Sequence, residues 1–76
     1  MMPDKLPSVK ARQVIKVLEA IAFQRIRQSG SHVTYRHPDG RWTIVSVHPG
    51  KTIPKGTLCK IIRDAGLSVE EFIRLL

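Results

Sequence analysis

Seventy-six residues with a net charge of +7 and 42% hydrophobic content describe one small folded domain, residues 1–76, with a thin core, because a chain this short buries only roughly 60% of its unfolded surface. That size excludes an elaborate enclosed substrate cavity, and no apolar run approaches the roughly 20 residues of a membrane span. A single cysteine, Cys59, excludes an intramolecular disulfide, and the N-terminus lacks the apolar stretch of a secretory signal, so a cytoplasmic protein is expected.

Met1 to Pro7 reads as a flexible arm. Ser8 offers a hydroxyl to an unpaired amide of a first helical turn, the position of an N-cap. Ala11, Val14, Ile15, Leu18, Ile21 and Ala22 then recur at the spacing of one helical face, while Lys10, Arg12, Lys16 and Glu19 fall off that stripe. From Phe23 the period changes. "FQRIRQ" is short and alternating, a strand; "SGS", Ser29 to Ser31, is a turn in which Gly30 takes a positive φ without steric cost. "HVTYRH" is a second strand rich in β-branched and aromatic residues. "PDG", Pro38 to Gly40, signals a turn, and "RWTIVSVH" returns as a third strand.

Pro49 to Gly56, with two prolines and two glycines, forms a loop leading to a helix whose inner face is Leu58, Ile61, Ile62 and Ala65. Gly66 stands where a left-handed C-terminal residue belongs. "SVEE" from Ser68 has the form of a capping box in which Glu71 returns a bond to the Ser68 amide, followed by Val69, Phe72, Ile73 and Leu76 on one side of a short last helix. The order is α-β-β-β-α-α: an α+β fold, a three-stranded antiparallel sheet with helices packed on one face and the other face wet.

Charge is concentrated in the middle of this pattern. Arg25, Arg27, Arg36, Arg41, Lys51, Lys55 and Lys60 are opposed between Ala20 and Lys60 by Asp39 alone, whereas the two ends are nearly balanced. Such a distribution suits a polyanionic partner, a nucleic acid or an acidic protein; solubility is the plainer alternative. His32, Thr34 and Arg36 share one face of their strand, and Val33 and Tyr35 the other. If the latter pair meets the helices, His32 and Arg36 point to the open face. Trp42, Ile44, Val45 and Val47 put apolar residues on both faces of the third strand, so Trp42 reads either as core or as an exposed stacking platform; the core is favoured, since a small domain needs large side chains inside.

A histidine beside a glycine turn in a cationic field suits proton transfer at a phosphodiester. RNA carries its own nucleophile, the ribose 2′-hydroxyl, so cleavage needs a base, an acid and positive charge for the phosphorane, and imidazole titrates near neutrality unaided. A surface histidine without chemistry is the alternative. Cys59 with His32, His37 and His48 has no metal-ligand spacing, and Cys59 lies beside the buried stripe of its helix, a packing position. Scattered acids do not suit two-metal chemistry, and no phosphate-binding glycine loop occurs. No cofactor or metal is expected.

The run "GSH" at Gly30–His32, "HPDG" at His37–Gly40, a strand ending in His48, "GTL" at Gly56–Leu58 and "AGLSVEEF" at Ala65–Phe72 together resemble the HicA family of bacterial type II toxins. The similarity extends from the first helix to the C-terminus, with Gly30 to Gly40 its most specific part. Ala22 stands where the family usually has glycine, and Ser46 where it commonly has proline. The resemblance implies a double-stranded-RNA-binding-domain-like fold, ribosome-independent cleavage of mRNA, and neutralisation by a HicB antitoxin. It implies His32 as the catalytic residue. RNA-binding roles are then expected for Arg25, Arg27, Gly30, Ser31, Arg36 and Lys51, and the free toxin is expected to be a monomer. His37 and His48 read as structural, with His48 a second candidate proton carrier. A non-catalytic RNA-binding module and a degenerate member that only binds antitoxin are the alternatives.

Overall fold

The computed structural model describes residues 6–76. The elements run α1 (Ala11–Ala20), β1 (Gln24–Ser29), β2 (His32–Arg36), β3 (Trp42–Ser46), α2 (Lys55–Asp64) and α3 (Val69–Leu75). The strands form one antiparallel sheet in the order β1-β2-β3, which makes β2 central. Among the described residues no helix is long and apolar enough to cross a membrane.

Alternation along β2 and β3 decides what each sheet face carries. Val33, Tyr35, Thr43 and Val45 are buried, and Val33, Tyr35 and Val45 join one core with α1 residues Val14, Val17 and Leu18, α2 residues Leu58, Ile61 and Ile62, and Phe72 of α3. His32, Thr34, Arg36, Trp42, Ile44 and Ser46 point the other way, because directly opposed residues of an antiparallel pair share a face. Thr43 is polar yet only 1% exposed. Its hydroxyl donates to Asp64 Oδ2 at 2.9 Å, so its burial leaves no orphaned group. Burial of the Tyr35 ring also raises its phenol pKa, helped by nearby Glu19 and opposed by Arg25.

Three expectations from the sequence change here. Helix α1 begins after Lys10, not after Ser8, because Val9 and Lys10 are held extended against the loop before α2: the Ile53 amide donates to the Val9 carbonyl at 2.8 Å and Lys10 bridges Thr52. Gln13 then accepts from the Lys10 amide at 2.8 Å. The arm expected over Met1–Pro7 does not extend to Leu6, which is 2% exposed in the core and whose carbonyl accepts from Lys55 Nζ at 3.0 Å; residues 1–5 lie outside the described residues. Trp42 is not a core residue. It is 57% exposed, since Thr43 and Val45 occupy the covered face and alternation forces Trp42 and Ile44 outward.

Helices α1 and α2 end in the same way. After α2, the Gly66 amide donates to the Arg63 carbonyl at 3.0 Å and the Leu67 amide to Ile62 at 3.1 Å; after α1, the Ala22 amide donates to Glu19 at 3.1 Å and the Phe23 amide to Leu18 at 3.0 Å. Both are Schellman motifs, which require a left-handed residue just past the helix. Gly66 supplies it with φ +76°, whereas at the first site Ala22 is held at φ +77°. At the start of α3 the expected capping box is present: Ser68 Oγ accepts from the Glu71 amide at 3.1 Å, and Glu71 Oε1 from the Ser68 amide at 2.8 Å.

A left-handed alanine is strained by roughly 1–2 kcal/mol, and glycine gives part of that back in the freer unfolded chain. Ala22→Gly therefore raises stability by about 1 kcal/mol, a gain of roughly 4–8 °C in Tm, read by thermal denaturation followed by circular dichroism.

Candidate functional site

The turn between β1 and β2 sets the position of His32. Ser29 pairs with His32, which leaves a two-residue connection, Gly30–Ser31. Gly30 has φ +58° and Ser31 does not have a positive φ, the pattern of a type II′ hairpin turn with glycine first. The Gln28 side-chain amide donates to the Gly30 carbonyl at 3.0 Å, and the Val47 amide to the Ser31 carbonyl at 2.7 Å. Ser31 thus continues the β2–β3 ladder one step beyond the strands, and the carbonyls of both turn residues are held. A Cβ at Gly30 would meet nothing within 4 Å; glycine is needed there for its backbone angle.

His32 is exposed at the start of β2 with Ser29 on one side and Ser46 on the other. Among the described residues no carboxylate forms an ion pair with it. Two residues along, Thr34 is flanked by Arg27 and Ile44; two further, Arg36 is flanked by Gln24 and Trp42. His32, Arg27 and Arg36 accordingly share the open face. Arg25 does not. A bulge between Arg25 and Arg27 inserts Ile26 as an extra residue, reversing the alternation, so Arg25 lies opposite buried Tyr35 on the helix side of the β1 edge and donates to Gln28 Oε1 at 3.3 Å.

Past the end of β3 the chain carries the second basic cluster. A cleft of about 370 Å³ is lined by Lys10, Arg12, Val47, His48 and Gly50 among others, and a second of about 190 Å³ by Ser46, His48, Lys51, Ile53 and Thr57. His48 lies between them, two residues beyond the Ser46 that opposes His32. Lys51 belongs to this end of the sheet. The sequence does not mark Lys10 and Arg12 as site residues; the pairing of Val9 and Lys10 with Thr52 and Ile53 brings the start of α1 beside His48.

The opposite end of β2 is built differently. The His37 amide donates to the Arg41 carbonyl at 2.8 Å and the Gly40 amide to His37 at 2.9 Å, closing the turn. His37 Nδ1 accepts from the Asp39 amide at 3.0 Å, and its ring meets Phe23 edge-on with centroids 5.3 Å apart. Asp39 is held by Arg41, whose Nε is 2.8 Å from Oδ2. The Arg41 guanidinium lies 5.4 Å from the centre of the Phe23 ring and donates to the Ala65 carbonyl. It passes so close to Gly66 that a Cβ there would come within 2.8 Å of Nη1. "HPDGR" is therefore a clamp between the β2–β3 turn, the end of α1 and the end of α2. The one acid of the cationic middle is consumed in it.

Among the described residues, no group of three or more His, Cys, Asp and Glu side chains converges on one point. Cys59 is half-buried against the core. Among the described residues, the paired positions of the open face offer an accessible imidazole, two guanidinium groups and no carboxylate.

A family model described as "HicA toxin of bacterial toxin-antitoxin" matches residues 11–67, from the first residue of α1 through the turn after α2. Comparison with curated proteins gives no match.

The Arg41 amide and then the Arg41 guanidinium hold the Asp39 carboxyl below its ordinary range, and the Ser68 amide and hydroxyl do the same for Glu71. A carboxyl that binds its proton less readily in the folded chain favours folding above the ordinary carboxylate pKa of about 4 and loses that contribution as pH falls through the lowered folded value. Melting temperature is therefore expected to decline on acidification below about pH 4, with a shallower decline in Asp39→Asn/Glu71→Gln, as measured by melts across the acid range.

Proposed function

This chain belongs to the HicA toxin family of bacterial toxin–antitoxin systems, and we propose that it acts by metal-independent cleavage of mRNA, with His32 as the residue that moves protons. The observation that carries this reading is His32 itself: exposed, paired with no carboxylate among the described residues, beside the Gly30 turn, on a face that also carries Arg27 and Arg36.

The chemistry needs little from the protein. A base removes the proton of a ribose 2′-hydroxyl, the resulting oxygen attacks the adjacent phosphorus, and the P–O5′ bond breaks as an acid protonates the leaving oxygen. The products are a 2′,3′-cyclic phosphate and a 5′-hydroxyl. His32 takes one of these proton transfers. Of the other two histidines, His37 is engaged at the far end of β2, whereas His48 stands at the His32 end and is the candidate for the opposite transfer. Arg27, Arg36 and Lys51 supply positive charge for the phosphate path and for the phosphorane. Gly30 and Ser31 form the rigid lip of the turn over which the backbone passes. Arg25, on the helix side of the edge, is assigned a peripheral phosphate contact reached only by RNA that wraps around β1.

Membership of this family implies an antitoxin partner. We propose a HicB-like acidic protein that covers the face of His32 and sets carboxylates against Arg27 and Arg36, gaining fast association by charge steering.

Purified protein with EDTA present is expected to cut single-stranded RNA and leave cyclic-phosphate ends. His32→Ala should cut at least 100-fold more slowly, in keeping with the roughly 10²–10⁴-fold worth of a positioned acid or base, while its melting temperature and RNA affinity stay at wild-type values. Equal cleavage by both proteins removes His32 from the mechanism; binding by both without cleavage makes the chain an RNA-binding module.

A further inference from the structure

Tryptophan supplies more apolar area than other side chains, and a small domain gains most by burying it. This chain has one tryptophan and holds it 57% exposed on the open sheet face. Arg36 lies directly across the strand pair from it. On the other side of Arg36 is a shallow cleft of about 320 Å³ lined by Gln24, Ile26, Arg36, His37 and Pro38. No carboxylate projects from the paired positions of this face, and neighbouring Asp39 is occupied by Arg41.

A flat ring beside a guanidinium, on a face of one charge sign, matches an unpaired nucleotide: the base stacks on the ring and its phosphate meets the cation. A base within a duplex has both faces covered by its neighbours, so the ring accepts only one that has been splayed from the stack. The same apolar atoms would serve a protein partner poorly as an interface core, which is contiguous and depleted of charge. Here exposed Ile26 on β1 is cut off from Trp42 and Ile44 on β3 by Arg36 and Thr34 of the strand between them, so charge and hydroxyl interrupt the apolar surface.

Resting on the RNA-cleavage reading above, we propose that Trp42 is a stacking platform for a nucleobase of single-stranded RNA, with Arg36 holding the adjacent phosphate. His32 and Arg36 are four residues apart on β2, about 13 Å along the strand. The stacked base therefore belongs to a nucleotide a short way along the chain from the bond at His32. Selection for a single strand is then built into the same face as the proton-transfer group, and the helix side of the domain is not needed for it.

Because Trp42 is the sole indole, intrinsic fluorescence reports this position alone. A short 2′-O-methyl oligonucleotide, which lacks the nucleophile, separates binding from cleavage. The single strand is expected to quench Trp42 emission, and a blunt duplex of the same sequence to leave it unchanged. Trp42→Ala should weaken single-strand binding by roughly 5- to 150-fold, as loss of one base–aromatic stack predicts, with Trp42→Phe retaining most of the affinity and both variants melting like wild type. Equal, salt-dependent binding by wild type and Trp42→Ala overturns the platform and leaves the RNA reading intact. Absence of oligonucleotide binding at low salt overturns both. If Trp42→Ala keeps full oligonucleotide affinity but loses its HicB-like antitoxin, the patch is a protein-docking surface and the platform is overturned.

Discussion

One face of a three-stranded sheet is covered by helices and the other is not, and nearly every feature of this protein depends on that asymmetry. Val33 and Tyr35 on β2, with Thr43 and Val45 on β3, are the side chains that must be inside. A one-residue slip of either strand would exchange them for His32, Thr34 and Arg36, or for Trp42, Ile44 and Ser46. The penalty for burying a guanidinium or exposing the core is large enough to hold the register. Holding the register in turn sends the imidazole and two arginines to the same open surface.

The two ends of β2 divide the labour. At the near end, Gly30 and Ser31 make a tight turn whose backbone is hydrogen-bonded on both sides, leaving the His32 side chain free. At the far end, His37, Asp39 and Arg41 are spent on each other, on Phe23 and on the Ala65 carbonyl. The same residue types, histidine and arginine, therefore do opposite things a few residues apart. An imidazole whose Nδ1 already accepts an amide and whose ring packs on phenylalanine is a structural part. One with no ion-pair partner among the described residues is, on the proposed reading, the group that moves protons.

The arrangement also explains why so small a domain tolerates exposed apolar groups. Ile26, Trp42 and Ile44 are thrown outward by alternation and, for Ile26, by the bulge that lets β1 follow the twist of its neighbour. Exposed apolar groups are a liability for solubility, which the arginines on the same face offset. On the proposed reading they are also the reason the toxin face grips a flexible strand without an enclosed pocket, since stacking and charge act on an open surface.

Much of this was legible in the sequence. The helical stripe of Val14 and Leu18, the inner face Leu58, Ile61 and Ile62, the glycine past α2, the Ser68–Glu71 cap and the two strand turns each rest on local chemistry that a few neighbouring residues specify. The same is true of His32 pointing away from Val33 and Tyr35. Other features required the tertiary structure. Trp42 and Thr43 compete for the covered face; size favours the tryptophan, but the Asp64 acceptor on α2, distant in sequence, satisfies the Thr43 hydroxyl inside. Arg25 and Arg27 look alike until the bulge turns one of them to the helix side. The start of α1 is moved past Ser8 by pairing with a loop some forty residues later, and that pairing also sets Lys10 and Arg12 beside His48. Short-range hydrogen bonds and periodicity can be read along a chain; which face is covered, where a strand bulges and what a loop pairs with are decided between elements that meet only on folding.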